Sequence, residues 1–96
     1  MKDEIQKAIL SLKERMNDQE IDGSIKFNIE DVGSIVIMGG EVRESEEDTD
    51  CVLSGDLGTF MDIFNGETSS TAAFMSGKLT IDGSMATAMK YNTILS

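Results

Sequence analysis

Residues 66–90 read GETSSTAAFMSGKLTIDGSMATAMK, and this stretch decides the fold. Gly66 suits a left-handed stop for a preceding helix. Thr68, Ser69 and Ser70 each offer a hydroxyl N-cap for a short helix that runs to Met75. Past Gly77, Leu79 and Ile81 alternate with Lys78, Thr80 and Asp82, the period of two that a strand with one dry face requires. Asp82 or Ser84 can then cap a last helix from Met85 to about Ile94, with Met85, Ala88, Met89 and Asn92 on one face.

Upstream, Asp56 to Phe64 carries the helical stripe Leu57, Phe60, Met61, Phe64, and Cys51-Val52-Leu53 reads as a strand. Ile25, Phe27 and Ile29 alternate with Lys26, Asn28 and Glu30. Asp31 to Ser34 supplies a turn, and Ile35-Val36-Ile37-Met38 is apolar on both faces, so it is expected inside the sheet as the second arm of a hairpin. After Gly39-Gly40, Val42 leads a short third strand that dissolves into acid. Six of the ten residues in EVRESEEDTD are carboxylates, which reads as a solvated edge that resists sheet-to-sheet pairing; the glycine and closing Glu of an EF-hand are missing. Residues 3–17 place Ile5, Ala8, Ile9, Leu12 and Met16 at steps of three and four, an amphipathic helix for which Asp3 and Gln6 could form a capping box. The sum is an α+β fold with a five-stranded mixed sheet and helices packed mainly on one face, expected as one domain over residues 1–96.

Composition removes whole classes of function. With 18 acids against 8 bases the net charge is −10, a field that repels phosphate, so no nucleic-acid partner is expected and docking to anionic membranes by charge alone is disfavoured. There is no histidine, which takes away the commonest proton-transfer group and the usual zinc spacings. The single Cys51 lies between Asp50 and Val52, where acids keep a thiol protonated, so it reads as buried filler. No catalytic residue, metal site or cofactor is expected. Gly39-Gly40 and Gly77-Lys78 lack the spacing of a phosphate-binding loop. MKDEIQKAIL has neither the charge order nor the apolar core of a leader, and no apolar run approaches ~18 residues, so a cytoplasmic location is expected.

The residues Ala73, Phe74, Gly77, Lys78, Leu79, Ile81, Gly83, Ser84 and Lys90 keep the order and spacing of a known motif. A small residue and an aromatic precede Gly-Lys; an alternating strand, a Gly with a small polar residue and a Lys-bearing helix follow. On these residues the chain resembles the sterol carrier protein type two family. Ser70 stands where that family often has Pro, and the early strands lack its common Trp. The resemblance implies a lipid-binding module in which the helical segments and the sheet face between them enclose an apolar tunnel, with the C-terminal helix as part of its lid. A fatty acyl chain, an acyl-CoA tail, a sterol or an isoprenoid is the implied ligand.

The residues themselves add a supply of soft apolar side chains. Met61, Met75, Met85 and Met89 join Phe60, Phe64 and Phe74 in the last 40 positions, and methionine adapts to ligands of differing shape. Ordinary core packing accounts for any one Met here equally well; within the tunnel that the resemblance implies, Phe60, Phe64, Phe74, Met75, Met85 and Met89 are the expected lining, with Phe27, Ile29, Ile35 and Ile37 as candidates for a sheet floor. Thr71, Ser76, Thr87 and Asn92 are candidates to meet a polar head group. Two further expectations follow: Phe64→Asp should abolish lipid uptake and spare the fold, and the last helix should open cheaply to admit ligand. Besides the lipid, transient membrane contact and a lipid-metabolising enzyme are the partners allowed. The alternative role is an accessory protein that presents a lipid intermediate to biosynthetic enzymes, as in quinone biosynthesis.

Overall fold

The computed structural model describes residues 2–16 and 21–95. Chain order is α1 (Lys2–Met16), β1 (Ile25–Ile29), β2 (Gly33–Met38), β3 (Glu41–Glu44), β4 (Cys51–Gly55), α2 (Leu57–Phe64), α3 (Ser70–Met75), β5 (Leu79–Gly83) and α4 (Met85–Leu95). The strands form one sheet in the order β3-β2-β1-β4-β5, parallel between β1 and β4 and antiparallel elsewhere, which is the mixed α+β architecture expected.

Register puts the apolar side chains together. Ile25 pairs with Ile37 and Cys51, and Phe27 with Ile35 and Leu53, so one sheet face presents a continuous apolar floor. The α1 stripe of Ile5, Ala8, Ile9, Leu12 and Met16 is buried in the same core. Because α1 starts at Lys2, Asp3 lies within the first turn instead of at an N-cap, where its charge favours the helix dipole. Asn17, at the far end of the expected helix, lies outside the described residues.

The caps resolve choices the sequence leaves open. Asp56 Oδ1 accepts from Thr59 N at 2.8 Å at the start of α2, and this hydrogen bond holds the Asp56 carboxyl below its usual range. Ser69, of the three hydroxyl residues, caps α3 through Ala72 N at 3.0 Å. Ser84, not Asp82, caps α4 through Thr87 N at 3.1 Å. Just before it, Gly83 has φ +91, and a Cβ there would collide with the Asp50 carbonyl, so this position needs glycine on two counts.

The acidic segment is more than a solvated edge. Since β4 lies beyond β1 from β3, the chain between them crosses the outer sheet face. Lys26 Nζ donates to the Glu46 carbonyl at 3.3 Å, and the Ser34 hydroxyl is shared between Asn28 Oδ1 and Glu46 Oε1 at 3.3 Å each. Val36, on this outer side, is fully buried, in keeping with a strand apolar on both faces.

Candidate functional site

The ten residues expected to line a lipid site separate into two groups. Phe27, Ile29, Ile35, Ile37, Phe60 and Phe64 are buried to within 1% in the core. Phe27 meets Phe60 and Phe64 edge to face, with centroids 5.8 and 5.4 Å apart and planes at 81° and 84°, an arrangement that favours the opposed quadrupoles of the rings. Arg15 Nε donates to the Phe64 carbonyl at 3.2 Å, tying α1 to the end of α2. A carboxylate at position 64 would be desolvated among aromatic rings, so Phe64→Asp tests folding and cannot isolate ligand uptake.

Phe74, Met75, Met85 and Met89 have the opposite environment. They are 42%, 79%, 50% and 54% exposed and belong to α3 and α4. Between these helices and β5 runs a narrow cleft lined by Ser70, Thr71, Phe74, Ile81, Met85, Ala88, Met89 and Asn92, with a volume of about 60 Å³. Among the described residues no charged side chain lines it. Its size decides what it can hold as it stands: a cavity of about 150 Å³ takes a benzene ring, and small-molecule pockets run from about 300 Å³. The cleft is thus a seam that must widen before a hydrocarbon chain can enter. Two roomier hollows, of about 300 Å³ beside Asp22 and Asp50 and about 230 Å³ beside Lys13 and Glu41, carry charged side chains in their walls and open to solvent. The chemistry of an apolar ligand favours the seam over either.

The two helices that flank the seam are held unequally. On α4, Ala88 and Tyr91 are buried, and the Tyr91 hydroxyl donates to the Gly23 carbonyl at 2.9 Å. Burial, with the Asp50 charge adding, pushes that phenol up to about 12. On α3 only Ser70 and Ala73 are buried. Asn92 joins the pair: its Oδ1 accepts from Ser70 N at 3.1 Å and from Thr71 N at 3.4 Å. Tyr91 ties α4 to the core, which weighs against the cheap opening expected of that helix, whereas α3 buries only two side chains.

Of the four polar candidates, Thr71 and Asn92 border the seam. Ser76 Oγ donates to the Ala73 carbonyl and Thr87 Oγ1 to Ser84 Oγ, each at 3.1 Å, so both are committed within the fold. Ser70, expected as one of three cap candidates and as a departure from the family's Pro, and Tyr91, for which no role was expected, both belong to this region. The lone tyrosine in a small domain was the available signal for the second; nothing local marked the first. Cys51 is buried, and burial, with Asp82 and Asp50 adding, pushes its thiol up and away from the reactive thiolate. Among the described residues no group of three or more His, Cys, Asp and Glu is placed to hold a metal, and no helix is long and apolar enough to cross a membrane.

Comparison with known proteins bears on the family and the fold. Hydroxysteroid dehydrogenase-like protein 2 of Xenopus tropicalis is 47% identical over 58 residues, which span 58% of this chain and 14% of that protein. The solution structure of sterol carrier protein-2 from Aedes aegypti, in complex with palmitate, has a TM-score of 0.78 at 14% identity and covers 97% of this chain and 94% of that one. The ubiquinone synthesis protein UbiJ-SCP2 has a TM-score of 0.59 at 14% identity, covering 88% of this chain and 75% of that one. At these identities the two structures speak for the fold. The SCP-2 sterol transfer family model matches residues 4–96, and the chain belongs to that family.

Proposed function

We propose that this domain binds and transfers lipid, taking a hydrocarbon chain between α3, β5 and α4, and performs no chemistry on it. The observation that carries the reading is the half-exposed cluster of Phe74, Met85 and Met89 around an apolar seam without a charged wall. Large side chains of this kind, left in water on a small protein, mark a surface that is covered when it works. Each methylene they shelter is worth about 0.8 kcal/mol, so ten buried carbons gain roughly 8 kcal/mol before the costs of immobilisation and of parting the helices. That margin accommodates micromolar binding.

Widening falls to α3. It is six residues long, buries two side chains and hangs between Gly66 and Gly77. As it swings out, the buried rings of Phe27, Phe60 and Phe64 become the inner wall, and Phe74, Met75, Met85 and Met89 the rim. The sheet-floor residues Ile29, Ile35 and Ile37 then act by holding the wall in place. Of the ten expected residues, Phe74, Met85 and Met89 border the seam as it stands, and the others take part in this reading only through its opening or its support.

The double substitution Met85→Ser/Met89→Ser tests the reading. Uptake of a fluorescent fatty acid should weaken about tenfold or more, while the urea midpoint stays close to that of the parent. Unchanged uptake would place the ligand elsewhere. A second reading, presentation of a lipid intermediate to biosynthetic enzymes, draws support from the fold likeness to UbiJ-SCP2. A stable enzyme partner recovered by pull-down, lost on substitution of the outer face of α1, distinguishes it from a free shuttle.

A further inference from the structure

Ser70 is 4% exposed, lines the apolar seam, and its Oγ is buried without a hydrogen-bond partner among the described residues. A hydroxyl withdrawn from water normally finds an acceptor, because leaving it unmet costs the full desolvation of the group. Ser69 Oγ caps Ala72 N, Ser76 Oγ donates to the Ala73 carbonyl, and the Ser70 amide itself donates to Asn92 Oδ1. The orphan is the Ser70 side chain alone. It sits at the joint that must part when α3 moves, since the Asn92 bonds to Ser70 and Thr71 bridge the two helices there.

Building on the lipid-binding reading, we propose that Ser70 Oγ–H is the polar anchor of the site, donating to the carbonyl oxygen of an uncharged acyl lipid, an ester, whose tail fills the opened seam. Three observations select this chemistry. The unmet group is a hydroxyl with a proton to give, so the ligand brings an acceptor. The remaining lining is Phe74, Ile81, Met85, Ala88 and Met89 with two neutral polar residues, so a buried carboxylate would find no cation. The protein's net charge of −10 further disfavours an anionic end. A neutral carbonyl meets the hydroxyl without either penalty.

The test compares the parent, Ser70→Ala and Ser70→Thr with three probes that share one pyrene-labelled alkyl tail: a methyl ester, the free carboxylate at pH 8, and the plain alkane. Ser70→Ala removes an unpartnered hydroxyl, so its thermal midpoint should match or exceed the parent's. It should bind the ester about fivefold more weakly and the alkane within about twofold of the parent. Ser70→Thr keeps the donor and should retain the ester preference, and the parent should bind the ester more tightly than the carboxylate. A loss shared equally by alkane and ester, no loss for either, a markedly lowered midpoint, or a carboxylate preference in the parent would each overturn the anchor. Failure of the parent to bind any probe would instead bring down the lipid-binding reading on which the anchor rests.

Discussion

Beneath α2 the core is closed, with Phe27 meeting Phe60 and Phe64 edge to face over a floor of isoleucines. The side under α3 and α4 leaves Phe74, Met85 and Met89 about half in water around a seam of about 60 Å³, with Met75 further out. Both sides are built from the same residue types. What differs is the number of elements that converge: Phe27 lies on a central strand beneath α2, whereas α3 packs mainly on the edge strand β5 and on α4. An apolar residue at a sheet edge has fewer neighbours to complete its burial. In a small domain, that is where a ligand can substitute for missing core.

The contrast can be broken most directly by matched truncations. Phe64→Ala should cost about 3–5 kcal/mol of global stability, whereas Met89→Ala should cost less than ~0.5 kcal/mol and weaken lipid uptake. Urea denaturation of the two variants checks this, and equal losses would erase the distinction between wall and rim. A smaller effect concerns the pin between the two sides. With its phenol raised from 10.0 to about 12, Tyr91 stays protonated in the fold after it would ionise in the unfolded chain. Its contribution is therefore complete below pH 10 and is lost as pH rises toward 12. The loss should be on the order of 2 kcal/mol, and Tyr91→Phe should remove that step from a stability profile over the same range. The raised Cys51 thiol acts in the same direction from a lower starting pH. Smallest is Asn92→Ala, which strips the acceptor from the Ser70 and Thr71 amides. Global stability should fall by about 1 kcal/mol, while hydrogen exchange at those two amides quickens by more than the global change allows. Slow exchange there in the variant would show that α3 is held by something other than Asn92.

The expected site was legible in part, and its two halves explain why. Met85, Ala88, Met89 and Asn92 share a face at helical spacing, and all four line the seam. Periodicity alone does not say whether such a face meets the core or water. Residues Phe60 and Phe64 follow the same rule of spacing and are entirely enclosed. Ser70 was illegible for a different reason: at the start of a helix a serine ordinarily caps or faces solvent. Its burial appears only in three dimensions, where Asn92, 22 residues away on α4, bonds to its amide.

Local chemistry, written in the chain itself, determined the elements and their order. The alternation of Ile25, Phe27 and Ile29, the stripe from Ile5 to Met16, the hydroxyls before α3 and α4 and the glycine after α2 act within a few residues, so no distant contact is needed to read them. The strand order, the crossing of the acidic segment over the outer face and the pinning of α4 by Tyr91 to Gly23 were decided only in three dimensions. Each depends on which apolar surfaces meet first and most completely, a competition among residues far apart in the chain that burial settles and local pattern does not encode.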